Sequence, residues 1–203
     1  MNRNVGVLIS GRGSNLQAII DAIRDGRLDA RIALVISNRA DAGGLGRAQD
    51  AGIGTLVRDH KGYGSREAFE RVLVDDLRAR DVGLVCLAGF MRLLGATFVN
   101  AFPNGILNVH PALLPAFSGL HAQRQALDHG AKISGATVHF VDTNLDAGPI
   151  ILQAAVPVLD IDTEDTLSAR ILEQEHRIYP EAIARILDGH WTIQGRRVVF
   201  ERP

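Results

Sequence analysis

Asn108-Val109-His110-Pro111 places an amide and an imidazole two residues apart, just ahead of a proline. In a strand, residues i and i+2 project from the same face. Two N–H donors held side by side there suit the developing oxyanion of an acyl transfer. A plain strand end, with both side chains satisfied by neighbours, fits the same residues. A second stretch, His139 to Pro149, carries Asp142 and Asp146 in a loop that ends Gly148-Pro149. Either carboxylate can cap a turn. One placed beside His110 would instead orient the imidazole and favour its charged form. Sequence separation alone does not pair Asp146 with His110.

The third chemical feature is Ser10-Gly11-Arg12-Gly13-Ser14-Asn15. Backbone N–H groups of such a turn, followed by a helix N-terminus, make an anion site. A tight turn with a helix cap fits equally well. What the loop lacks narrows its ligand. Leu16 stands where a dinucleotide fingerprint needs its third glycine, and the next strand ends in Ser37-Asn38-Arg39 rather than an acidic residue. The Lys and hydroxyl of a Walker loop are missing too. A small phosphorylated ligand suits the loop better than NAD or ATP.

These residues must be held by elements that the apolar pattern reveals. Val5 to Ile9, Ile32 to Ile36, Gly54 to Val57 and Val82 to Leu87 read as strands. Ser14 to Asp25, Gly44 to Ala51 and Ser65 to Arg80 read as helices between them. Val82 to Leu87 is continuously apolar, as in a strand covered on both faces. This alternation predicts a parallel, doubly wound α/β sheet with helices in layers on both sides. In the second half, Gly105 to Val109 reads as a strand that ends at His110, and Leu120 to His129 as a helix. Ser134 to Val141 and Pro149 to Val156 read as a pair able to run antiparallel. Thr163 to Leu187 is a long helix with a kink expected at Pro180. Trp191 to Ile193 and Arg197 to Phe200 suggest a terminal hairpin around Gln194-Gly195. No linker or repeat divides the chain, so residues 1–203 are expected to form one domain.

Composition sets the remaining bounds. The net charge of -1 and the lack of a basic block give no electrostatic reason to expect nucleic acid or an anionic membrane as partner. The single cysteine, Cys86, lies in an apolar run and reads as a small buried hydrophobe. Met1 to Val5 leads straight into a strand and does not read as a signal peptide. No apolar run is long enough to span a bilayer, and the cytoplasm is the expected location. A metal set drawn from His110, His121, His139 and Asp146 follows no ligand spacing, so no metal is expected.

The segments SGRGSNLQAI, LAGFMRLL, ILNVHPALLP, FSGLH, TVHFVDTNLDAGPII and EQEHRIYP together resemble those of the glycinamide ribonucleotide formyltransferases, within the folate formyltransferase superfamily. The resemblance spans nearly the whole chain. It implies a Rossmann-like three-layer fold, mostly parallel, with an antiparallel strand in the C-terminal half. Residues of about 1–100 would form a phosphate-binding half and about 101–203 a catalytic, folate-binding half. It also implies formyl transfer from 10-formyltetrahydrofolate to the amine of 5'-phosphoribosylglycinamide, in purine biosynthesis, without metal. Asn108, His110 and Asp146 match the catalytic triplet. Gly13, Ser14 and Asn15 match the phosphate loop, and Leu172, Glu173, Gln174 and Glu175 match the remaining ribonucleotide contact. Arg66, Met91, Arg92, Leu93 and Leu94, with Asn108 and the loop Asp142, Thr143, Asn144, Leu145 and Asp146, match folate contacts. Arg66 and Arg92 would meet the glutamate tail. His139, Gly119 and His121 are further candidates for the site. Ala112 and Ser118 depart from the common Ser and Pro, which bears on the shape of the Pro115 to His121 loop.

Small-molecule substrates are the expected partners, with the chain a monomer or weak homodimer. Two other readings remain open at this point. Water replacing the amine would make the protein a formyltetrahydrofolate hydrolase. A non-catalytic sensor of a phosphorylated ligand would keep the glycine loop without needing Asn108, His110 and Asp146.

Overall fold

The computed structural model describes residues 2–201. Alternation within the central strands explains the layering. In β1 (Asn4–Ile9), Val5, Val7 and Ile9 enter one apolar cluster while Leu8 enters another on the opposite side. In β4 (Leu84–Leu87), Leu84 and Cys86 face the first cluster, and Val85 and Leu87 the second. A strand buried on both faces needs helices on both faces. The first cluster is closed by α1 (Ser14–Arg24), α2 (Gly43–Asp50), α5 (Ala122–Asp128) and α6 (Glu164–Asp188). The second is closed by α3 (Arg66–Arg78) and the short α4 (Ala96–Val99).

The remaining strands are β2 (Arg31–Ser37), β3 (Thr55–Val57), β5 (Ile106–His110), β6 (Ile133–Phe140), β7 (Ile150–Pro157), β8 (Trp191–Gln194) and β9 (Arg197–Phe200). Together they form one sheet in the order β3-β2-β1-β4-β5-β6-β7-β9-β8. Strands β3 to β5 of that order run parallel, β6 is antiparallel to both β5 and β7, and β9 returns parallel to β7. The expected layers, parallel half and antiparallel strand are all present. The terminal hairpin turns where expected and joins the same sheet.

Two features differ from the periodicity. A 3-10 turn at His60–Gly62 and the four-residue α4 are too short to register as apolar periods. α4 instead depends on a distant group: the Glu70 carboxylate of α3 accepts from the Gly95 N–H at 2.6 Å and the Phe98 N–H at 3.2 Å. α6 runs on through Pro180 for 25 residues. Its start is secured by a capping box between Thr163 and Thr166, and its apolar face is buried along the sheet. Packing over that length outweighs the bond missing at one proline.

One buried polar group ties α6 to the sheet. The Tyr179 hydroxyl, fully buried, lies 3.0 Å from the Leu87 carbonyl of β4 and 3.1 Å from the Leu107 carbonyl of the adjacent β5. Cys86 lies in the same layer, and burial pushes its thiol up to about 12. It packs as a hydrophobe and carries no thiolate chemistry.

Candidate active site

Register builds the centre of the site. β5 and β6 pair antiparallel with Asn108 opposite His139 and His110 opposite Thr137. Leu107 and Val109 point into the first apolar cluster, so Asn108 and His110 stand on the other face. Two loops cover that face of β5 and β6. The first follows His110. Thr137 holds it by donating from Oγ1 to the Ala112 carbonyl at 2.6 Å and accepting from the Leu114 N–H at 3.0 Å. Gln153 of β7 adds a bond from Nε2 to the Leu114 carbonyl at 2.9 Å. Ala112 is fully buried under this loop.

The second loop joins β6 to β7. It leaves β6 opposite the start of β5 and folds back over the sheet. Gly148 makes this return possible, because a Cβ there would collide with the Phe140 carbonyl. Asp146, at φ 50°, turns its side chain inward. Its Oδ2 lies 3.4 Å from His110 Nδ1 and accepts from the Gly119 N–H at 2.8 Å, while Oδ1 lies 3.8 Å from His139 Nε2.

Hydrogen bonding assigns the two imidazoles. His139 Nδ1 lies 2.8 Å from the Phe140 carbonyl and so carries the proton, leaving Nε2 to accept from Asn108 Nδ2 at 3.2 Å. Burial holds this ring below its usual value, and the Phe140 carbonyl and Asp146 offset that only in part. His139 is therefore neutral, and it fixes which end of the Asn108 amide is the donor. His110 differs. Its Nε2 lies 2.8 Å from the Phe117 carbonyl and its Nδ1 faces Asp146. Both nitrogens thus face oxygen acceptors.

The structure brings Asn108, His110, His139, Asp146 and the Gly119 amide together. Other candidates differ in exposure and surroundings. Met91 and Leu93 are 68% and 62% exposed and Leu145 is 54% exposed, while Leu94 is buried. Arg66 opens α3 and lies against Gly95. Arg92, Thr143 and Asn144 are exposed, and Asp142 closes a turn by accepting from the Asn144 N–H at 2.8 Å. His121 stands apart: exposed, at φ 58°, it begins α5, and its side chain makes no hydrogen bond among the described residues. Phe117, Thr137 and Gln153 were not singled out by the sequence. Thr137 had a signal, since it alternates with His139 on β6.

The glycine loop forms a second, adjoining centre. Gly13 is the N-cap of α1, at φ 72°, and offers no side chain to the first-turn N–H groups of Ser14 and Asn15. α2 packs so closely that a Cβ on Gly13 would lie 2.5 Å from the Gly44 Cα. Asn15 is buried, donates from Nδ2 to Glu175 Oε2 at 2.7 Å, and keeps Oδ1 without a partner. Glu175 is thereby placed beside the loop, whereas Glu173 is exposed and Leu172 and Gln174 are half-buried. Burial pushes the Glu175 carboxyl up from its ordinary 4.5, offset in part by Asn15.

A carboxyl raised in the folded state contributes stability that is greatest below its unfolded value and is lost as pH rises through its folded value. Glu175→Gln is therefore expected to remove a decline in melting temperature that the native chain shows from about pH 4.5 toward neutrality. Thermal unfolding of both proteins across that range measures it.

Among the described residues, no group of three or more His, Cys, Asp or Glu is placed to hold a metal ion, and no helix is long and apolar enough to cross a membrane.

Comparison with known proteins agrees with this geometry. The formyl transferase family pattern matches residues 3–183. The phosphoribosylglycinamide formyltransferase of Escherichia coli (strain K12) is 49% identical over 186 residues, which are 92% of this chain and 88% of that protein. The trifunctional purine biosynthetic protein adenosine-3 of Drosophila melanogaster is 52% identical over 189 residues, and there the chain spans only 14% of the relative's length. The crystal structure of glycinamide ribonucleotide transformylase 1 from Symbiobacterium toebii superposes with a TM-score of 0.97 at 58% identity, covering 98% of this chain and 94% of that one. On this evidence of sequence and fold, the chain belongs to the formyl transferases and, within them, to the phosphoribosylglycinamide formyltransferases.

Proposed function

We propose that this protein transfers the formyl group of 10-formyltetrahydrofolate to the amine of 5'-phosphoribosylglycinamide, giving formylglycinamide ribonucleotide and tetrahydrofolate in purine biosynthesis. The observation that carries the reading is the meeting of His110 and Asp146 at 3.4 Å beside the Asn108 amide, drawn from β5 and the β6–β7 loop. The surroundings fit a folate donor. Exposed apolar side chains at Met91, Leu93 and Leu145 suit its ring system, and Arg66 and Arg92 suit its acid tail.

The donor supplies a formyl carbon that the uncharged amine attacks directly. Asn108 gives one Nδ2 hydrogen to His139 and keeps the other for the oxyanion. His110 has the Phe117 carbonyl oxygen 2.8 Å from Nε2, and the oxyanion would take the place of that oxygen. Asp146 holds the charged imidazole and relays the proton from the attacking nitrogen toward the leaving folate nitrogen. Ser14 and Asn15 N–H groups hold the phosphate, and Glu175 lies beside them for the rest of the ribonucleotide. Binding energy from that end orients the amine.

Mixing protein, ribonucleotide and formylfolate and following the deformylated folate tests the activity. Product that forms equally well without ribonucleotide would make the protein a hydrolase. No product in either mixture would leave a ligand sensor.

Gly13→Ala tests the phosphate end. Positive φ and the contact with Gly44 make this change cost about 1–3 kcal/mol of stability. In the protein that folds, the apparent constant for the ribonucleotide is expected to rise much more than that for the folate. Equal weakening of both in steady-state kinetics would remove the phosphate role.

A further inference from the structure

Asp146 is held from outside the reacting centre as well as from within it. Its Oδ2 accepts from the Gly119 N–H at 2.8 Å. The other end of that same peptide unit, the Ser118 carbonyl, accepts from Gln125 Nε2 at 3.1 Å. The second hydrogen of Nε2 goes to the Leu120 carbonyl at 2.9 Å. Two carbonyl acceptors identify this end of the side chain as the NH2 group. One peptide plane therefore links an amide on α5 to the carboxylate that faces His110 Nδ1 at 3.4 Å.

The loop needs such a hold. Phe117, Gly119 and His121 have φ of 55°, 82° and 58°, so three residues out of five lie in the left-handed region. Phe117 and His121 pay for that conformation in backbone strain. Rotation of the peptide plane between Ser118 and Gly119 changes mainly the ψ of the first and the φ of the second, and glycine accepts many values of φ. Nothing in the local backbone therefore keeps the N–H on Asp146. After such a rotation the carboxylate would face a carbonyl oxygen in place of a donor. α5 supplies the fixed point. Ala122 and Ala126 are buried on either side of Gln125, whose own N–H is tied to the His121 carbonyl at 2.9 Å.

We infer that Gln125 is a positioning residue for the reaction: by fixing the peptide between Ser118 and Gly119 it keeps the Gly119 N–H on Asp146, and so keeps that carboxylate against His110, an inference that rests on the formyl-transfer reading above.

Gln125→Met preserves the length of the side chain and removes both N–H groups, and Gln125→Glu turns acceptors toward the two carbonyls. Gln125 is half-buried, so both variants are expected to fold. In Gln125→Met, kcat is expected to fall about 5- to 10-fold, the cost of roughly one hydrogen bond, and in Gln125→Glu further. The ribonucleotide KM should stay constant, because the glycine loop is untouched. Exchange of the Gly119 amide hydrogen, followed by NMR, is expected to speed up about 10-fold in Gln125→Met as its bond to a carboxylate is released. In an Asp146→Asn background the same substitution should cost less than about 2-fold in kcat, since the carboxylate to be positioned is gone. Unchanged kcat or unchanged Gly119 exchange in Gln125→Met overturns the inference. So does a loss of kcat as large in the Asp146→Asn background as in the native chain, which would mark Gln125 as structural only. A native protein that forms no product from ribonucleotide and formylfolate would instead defeat the reading on which the inference rests.

Discussion

Asp146→Asn is expected to lower kcat by about 10²- to 10⁴-fold, the usual cost of removing a positioned acid–base group. The change is nearly isosteric, and the side chain is only 9% exposed, so the loop has little room to rearrange. The amide oxygen can still accept from the Gly119 N–H, now at 2.8 Å from Oδ2, which keeps the two covering loops joined. What disappears is the negative charge 3.4 Å from His110 Nδ1 and the basic oxygen available for proton relay. Ribonucleotide binding depends on Gly13 to Asn15 and is expected to change little. The outcome to look for in steady-state kinetics is therefore a fall in kcat at nearly constant ribonucleotide KM. An unchanged kcat takes Asp146 out of the chemistry.

Asn108→Ala removes a donor aimed at the oxyanion and is expected to cost about 10²- to 10³-fold in kcat. A merely structural Asn would give a different pattern. Its one hydrogen bond to a protein side chain is to His139 Nε2 at 3.2 Å, and losing it leaves a neutral, buried imidazole nitrogen unpaired. That structural loss is worth about 1–3 kcal/mol of stability. It would appear in the melting temperature of the variant and not specifically in kcat. Asn108→Asp sharpens the distinction. It keeps shape but replaces the donor with an acceptor facing another acceptor, so activity is expected to fall at least as far as in the alanine variant. Activity close to native in Asn108→Asp would show that no donor is needed there.

The strands and helices of the first half could be read because their residues obey simple periods. Val82 to Leu87 is apolar throughout and lies between helices on both faces. The ends were less legible: β4 begins at Leu84 rather than Val82, and α3 ends at Arg78 rather than Arg80. There the chain leaves regular structure without a change in apolar pattern. α4 was invisible because its cap is Glu70, a residue of another helix. α6 continues through Pro180 as the apolar pattern from Thr163 to Leu187 indicated, with its apolar face buried along the sheet.

For the site, sequence spacing placed Asn108 and His110 on one face of a strand ahead of the glycine-proline loop, since alternation in a strand is a local property. His139 and Thr137 share their face by the same alternation. What local rules could not supply was distance. Asp146 reaches His110 only because β6 reverses beside β5, Gly148 lets the loop fold back, and Gly119 donates to the carboxylate. The neutral form of His139 likewise follows from burial, and the place of its proton on Nδ1 from the Phe140 carbonyl, both of which exist only once the sheet is assembled. Sequence alone determined which chemical groups were present and the face each one shares. Tertiary structure decided which of them meet and in what protonation state, because contact and desolvation belong to the packed chain.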